Sequence, residues 1–244
     1  MAEPGFVVPD WPAPPAVRAA VTLRSGGAST GRYASFNLGD HVGDDPEAVA
    51  ENRRRLGQAL SLPAEPLWLD QVHGATVARF PAGLRPRADA AVALEPGQVC
   101  AVLVADCLPV LLADRAGGCV GIAHAGWRGL AAGVIEETVR SLPVAASSLI
   151  AWLGPAIGPA AFEVGPEVRA AMIAADPGAD MCFRAGAGDR WLADLFGLAR
   201  RRLARAGVAA IHGGGCCTVA DPAAFFSFRR DGITGRMAAL VWRE

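Results

Sequence analysis

Residues 99–126, VCAVLVADCLPVLLADRAGGCVGIAHAG, contain the apolar runs VCAVLVAD, PVLLAD and CVGIAHAG with short breaks between them. A strand with one wet face alternates polar and apolar residues, whereas these runs are too apolar to have one, so they read as central strands covered on both faces. Upstream, AVRAAVTLR (16–24), PLWLDQVHG (66–74), ATVARF (75–80) and ADAAVAL (88–94) read as further strands. The segment SGGASTGRYASFNLGDHVGDD (25–45) is a polar loop, long enough to favour a functional role. A helix follows in DDPEAVAENRRRLGQAL (44–60), where Asp45 can cap, Pro46 fits the first turn, and Val49, Leu56 and Leu60 share a face. Downstream the pattern predicts helices at 129–141, near 166–175 and at 191–206, and strands at LIAWLG (149–154), VAAI (208–211) and near 238–242. The fold class is therefore mixed α/β with helices covering sheet faces. No repeat or low-complexity linker divides the chain, which reads as a Pro-rich N-terminal arm at 1–15 and a single domain at 16–244.

An apolar fraction of 52% over 244 residues provides for an extensive core. A formal charge of -1 gives no basic excess, so neither nucleic acid nor an anionic membrane surface is an expected partner. All the cationic side chains are arginine; the lack of lysine excludes a Schiff base, lysine-held pyridoxal phosphate and a phosphate-loop lysine. The six cysteines show neither a C-x-x-C pair nor the density of a disulfide scaffold, and the first residues lack the cationic start of a signal peptide, so the chain is expected to be cytoplasmic. Residues 141–162 carry no charge, but Pro143, Gly154, Pro155, Gly158 and Pro159 cut the run short of a spanning helix.

His73, Cys107 and His124 each end an apolar run beside a residue that turns the chain: Gly74, Pro109 and Gly126. Strand ends are where a rigid sheet delivers functional groups to open loops. Two imidazoles and a thiolate suit zinc, and three protein ligands leave a fourth position for water or substrate. The same residues also permit metal-free chemistry, with Cys107 as nucleophile, a histidine as base and Asp106 orienting a neighbour. Each taken alone is more often a satisfied core residue.

The motifs QVHG, ADCLPVLLAD and HAGWRGLAAGV, with SFNLGDHVGDDPEAVAENRRRL, WLGPAIGPAAFEVGPEV and FFSFRRDGITGRM in this order, resemble the YfiH-like laccase-domain family of purine nucleoside phosphorylases, once called multicopper polyphenol oxidoreductases. The resemblance implies a four-layer α/β/β/α sandwich with mixed sheets and a zinc site at His73, Cys107 and His124, with copper as an alternative ion. It implies phosphorolysis of adenosine, inosine, guanosine and methylthioadenosine, with deamination of adenosine, so purine nucleosides and phosphate are the expected partners of a monomer or small homo-oligomer.

Phosphorolysis needs an anion held beside the ribose. Arg128 at the start of the helix after HAGW, Arg229 and Arg230 in SFRRDG, and Arg53 in ENRRRL are the candidate cations, because guanidinium forks match phosphate and sugar oxygens. Asn37 in FNLG is a candidate for the base or sugar, though a turn uses the same side chain. Asp70 and Gln71 are candidates to orient His73. Cys216 and Cys217 read as structural, Phe225, Phe226 and Phe228 as core with one ring free to stack on a purine, and His41 and His212 as loop residues outside the metal set.

The resemblance leaves rivals. One is a hydrolase that edits nucleotide-linked peptidoglycan precursors. Another is a copper-loaded polyphenol oxidase, although four histidines are too few for a cluster of several coppers. The last is a module that binds nucleosides without turnover.

Overall fold

The computed structural model describes residues 3–244, so the first two residues of the Pro-rich arm lie outside it. The elements run β1 (Phe6–Val7), β2 (Val17–Thr22), α1 (Pro46–Ala59), β3 (Val77–Arg79), β4 (Ala90–Ala93), β5 (Val99–Val104), β6 (Leu108–Asp114) and β7 (Val120–Ala125). They continue α2 (Trp127–Ala132), α3 (Val134–Arg140), β8 (Leu149–Leu153), β9 (Glu163–Val164), α4 (Pro166–Ala175), β10 (Phe183–Ala185) and β11 (Trp191–Ala193). The chain ends with α5 (Leu195–Arg205), β12 (Ala210–Gly213), α6 (Phe228–Asp231) and β13 (Met237–Arg243).

A six-stranded mixed sheet has the order β12-β8-β6-β7-β4-β3, and a four-stranded antiparallel sheet the order β1-β2-β13-β5. The period-2 geometry of a strand divides the apolar runs between faces. Cys100, Val102 and Val104 of β5 meet Leu111 and Ala113 of β6 in a cluster between the sheets, which also takes Met237, Ala239 and Val241 of β13. The opposite face of β5, Val99, Ala101 and Leu103, packs with Leu56 of α1. The opposite face of β6, Leu108, Val110 and Leu112, packs with Leu130, Ile135, Met172 and Leu203 from α2 to α5. Burial on both faces is thus the reason these strands carry no polar alternation.

Four local expectations change. The segment at 66–74 makes only the isolated bridges Leu67 to Cys100 and Asp70 to Arg87. In place of a backbone neighbour, the Gln71 amide accepts from Leu103 N and donates to Leu103 O. The helix expected at 129–141 is two helices, starting at Trp127, because Gly133 takes the left-handed φ of 90° that closes α2. The helix expected from 191 starts at Leu195, since Asp194 caps it through Gly197 N and leaves Trp191–Ala193 to pair with β9 and β10. The strand at VAAI is displaced to Ala210–Gly213, where it runs parallel to β8. In the described part of the arm, Phe6 and Val7 pair with Thr22 and Val21, so the arm extends the four-stranded sheet.

Candidate metal centre

The chain leaves one sheet at the end of β5 and enters the other at β6, and Asp106 and Cys107 make this crossing. Asp106 holds a φ of 90°, a region disfavoured for a residue with a Cβ. Its carboxylate is buried and accepts from Thr218 Oγ1 at 2.6 Å, Ser227 Oγ at 3.0 Å and Arg229 N at 2.6 Å, which fixes the turn. Cys107 follows on the open side. The β6–β7 register sets His124 opposite Pro109, near the turn that carries Cys107.

His73 comes from the loop before β3 and has a φ of 60°. Asp89, fully buried just before β4, holds that loop by accepting from the backbone amides of Val72 at 3.1 Å, His73 at 2.9 Å and Gly74 at 2.7 Å. Asp89 Oδ1 also lies 2.9 Å from His124 Nδ1, and Asp89 O accepts from His124 N, so one acid sets both histidines. That contact turns Nε2 of His124 toward the other ligands, a common arrangement around metal-binding imidazoles.

Ligand atoms of His73, Cys107 and His124 all lie within 4.8 Å of one another, with Cys107 Sγ 3.9 Å from His73 Nε2. Ligands of one tetrahedral zinc are about 3.3–3.8 Å apart, so a small contraction brings the three onto a common ion. A Cβ at Gly126 would lie 2.7 Å from Cys107 Sγ and 3.3 Å from His73 Cδ2, which explains a residue without a side chain there. Burial acts to raise the Cys107 thiol, but His124 and His73 outweigh it and bring the pKa down to about 6. Burial acts to lower His124, while Cys107 and Asp89 outweigh it and raise it to about 9. The thiolate so favoured is the form that ligates metal, and an ion must displace the proton held by His124. Two imidazoles, one thiolate and an ordered supporting acid fit a metal ion.

The three residues open on a cavity of about 600 Å³ that is also lined by Trp127, Phe162, Phe228, Arg85, Arg128, Arg229 and Arg236. Arg128 and Arg229 were expected near a ligand, and both line it. Asn37, Arg53 and Arg230 do not. Asn37 is fully buried, and its amide is used by Gly39, Asp44 and Arg236 N, as a turn and loop clamp. Arg53 binds Leu38 O and lies over the Trp68 ring, and Arg230 pairs with Asp231 and reaches the carbonyls of Thr218 and Phe225. Gln71 is spent on Leu103, and it is Asp89 that holds the His73 backbone and orients the His124 ring. Phe225 and Phe226 are core, whereas Phe228 is exposed at the cavity. Cys217 Sγ accepts from Gly158 N, a structural contact.

Sequence reading missed Asp89, Arg85 and Arg236, and it set His41 aside although that residue lines the cavity. An acid opening the apolar run at 89–93 was the available signal for Asp89; nothing local marked Arg236.

A mixed α/β scaffold with this His–Cys–His group defines the laccase-domain class. The family model described as multi-copper polyphenol oxidoreductase laccase matches residues 18–244, and the chain belongs to that family. A Pseudomonas aeruginosa protein named purine nucleoside phosphorylase is 56% identical over 98% of this chain and 98% of its own. Escherichia coli purine nucleoside phosphorylase YfiH is 52% identical over 97% of this chain and 98% of its own. The crystal structure of Neisseria meningitidis protein NMB0706 superposes with a TM-score of 0.94 at 47% identity, covering 98% of this chain and 99% of that one.

Proposed function

We propose that the chain is a zinc-dependent purine nucleoside enzyme that cleaves adenosine, inosine, guanosine and methylthioadenosine with phosphate and deaminates adenosine. The observation that carries this reading is a His–Cys–His group on the wall of a cavity that also presents aromatic rings and guanidinium groups. Close relatives bear the name purine nucleoside phosphorylase. The cavity volume suits a small organic substrate.

His73, Cys107 and His124 would hold the ion, with Asp89 fixing the His124 imidazole and the backbone that carries His73. Zinc in such a site supplies Lewis acidity and lowers the pKa of water near neutrality. Trp127, Phe162 and Phe228 offer faces for a purine, and the exposed Arg128 and Arg229 offer charge to phosphate or ribose oxygens. In phosphorolysis, a phosphate oxygen bonds to the anomeric carbon as the bond to the purine nitrogen breaks, and the departing base takes a proton. The cations serve that step by placing the anion in line and offsetting its charge. No helix among the described residues is long and apolar enough to cross a membrane, and six free thiols support the cytoplasm as the working compartment.

The decisive experiment is chromatography of inosine incubated with the purified protein, with and without phosphate. Hypoxanthine and ribose 1-phosphate are expected only with phosphate; equal release of base without it would make the protein a hydrolase, and no release would remove the proposal. Adenosine in the same assay is expected to yield inosine as well as adenine. A single copper suits the same three ligands. Among the described residues this is the one group of three such ligands, so a cluster of several coppers has no place there.

A further inference from the structure

The cavity is lined by four arginines, but their charges are not equally available. Arg85 gives Nη1 and Nη2 to the Asp40 carboxylate at 2.7 Å and 2.9 Å, so its fork is already occupied by an acid that Arg53 shares at 3.5 Å. Arg229 donates Nη1 to the carbonyls of Ala161 and Glu163 in an exposed position. Arg128 is exposed, with its guanidinium 4.4 Å from the centre of its neighbour's ring at Trp127. Water can screen both of these.

Arg236 differs. It is half-buried, and no carboxylate lies within ion-pair distance among the described residues. Its backbone amide donates to Asn37 Oδ1 at 2.8 Å, and Nη1 donates to Thr234 O at 2.9 Å and Gly235 O at 3.1 Å. These contacts set the side chain's direction and leave Nε and Nη2 without a hydrogen-bond acceptor among the described residues, with the Phe228 ring centre 5.9 Å from the guanidinium carbon. Gly39 lies close along its stem, where a Cβ would sit 2.8 Å from Arg236 Cγ. Burial holds the guanidinium's pKa below its ordinary value, with charge on Cys107 and Asp106 acting the other way. A directed, partly desolvated cation that no carboxylate pairs among the described residues has donors free for an incoming anion.

We infer that Arg236 is the principal phosphate-binding residue of the cavity, with Asn37 and Gly39 as its positioning residues. The inference rests on the phosphorolysis reading only for the identity of the anion. It gives Asn37 a part in the site through the Arg236 backbone, without contact with substrate.

The test measures binding of inorganic phosphate to the purified, zinc-loaded protein by calorimetry, beside steady-state kinetics with phosphate and inosine varied separately. Arg236→Gln is expected to weaken phosphate binding about 10- to 100-fold and to raise the KM for phosphate comparably. The KM for inosine and the zinc content should stay within about threefold of the parent. Arg236→Lys should recover part of the binding, and in the unaltered protein phosphate should protect Arg236 from phenylglyoxal, a readout that needs no variant to fold. Unchanged phosphate affinity in Arg236→Gln, no phosphate binding by the parent, or no protection would each overturn the inference. Phosphate binding lost in Arg236→Gln in a protein that never cleaves inosine would uphold the anion site and sink the phosphorolysis reading instead.

Discussion

Asp89→Asn preserves the size of the side chain but removes the charge shared by three backbone amides and His124. Substitution of groups that orient metal ligands typically costs about 10- to 100-fold in metal affinity, and a loss of that size is expected here by competition with a zinc chelator. Affinity equal to the parent would show that the loop and the imidazole hold their places without the acid. The three residues of the candidate centre were legible in the sequence because each closes an apolar run within two residues of Gly or Pro. Asp89 was not, since its role arises from strand register: Ala90 pairs with Ala123, which brings the preceding carboxylate beside the following imidazole. Arg236 was hidden for a similar reason, as Asn37, which fixes its backbone, lies far away in the chain.

The elements were readable where one face dominated and misread where a single residue redirected the backbone. Helix α1 has its Asp45 cap and its buried Val49 and Leu56 as the spacing required. Its Asn52 does something the pattern could not announce: Nδ2 donates to Ser29 Oγ, Ser35 O and Asn37 O, and Oδ1 accepts from Ala28 N. The long loop is therefore tied to the helix through one amide. Asn52→Ala strands buried backbone groups, and urea unfolding should show a loss of about 1–3 kcal/mol. Removing the α5 cap in Asp194→Ala should cost about 1 kcal/mol in the same assay. A smaller change in the Asn52 variant than in the cap variant would contradict the weight given to this clamp.

Across the whole molecule, acid resistance is expected to depend on Asp176, which joins Arg201 and Arg205 of α5 to the segment beginning at Pro177. Hydrogen bonding from Arg201 and the nearby charges hold its pKa at about 2, below its ordinary value. A carboxylate lowered by folding contributes fully above its unfolded pKa of about 3.9, and the contribution fades as pH falls toward the folded value. The stability gap between the parent and Asp176→Asn should thus be constant near neutrality and close between about pH 5 and pH 2. A gap independent of pH across that range would show that the ion pairs are not its source.

The crossing between sheets at Asp106 and Cys107 has a consequence for the order of assembly. Cys107 leads into β6 and His124 lies near the end of β7, and both strands are paired in the six-stranded sheet, while Asp89 restrains the His73 loop through the protein's own amides. The receptacle is therefore tied together by the chain's own pairing, and loading with an ion is expected to follow folding. A chelated sample should keep a single cooperative melt, displaced only by the mass-action contribution of the lost ion. Collapse on chelation would reverse that order. On the proposed metal reading, a scaffold complete beforehand would leave the choice between zinc and copper to whichever ion the surroundings supply.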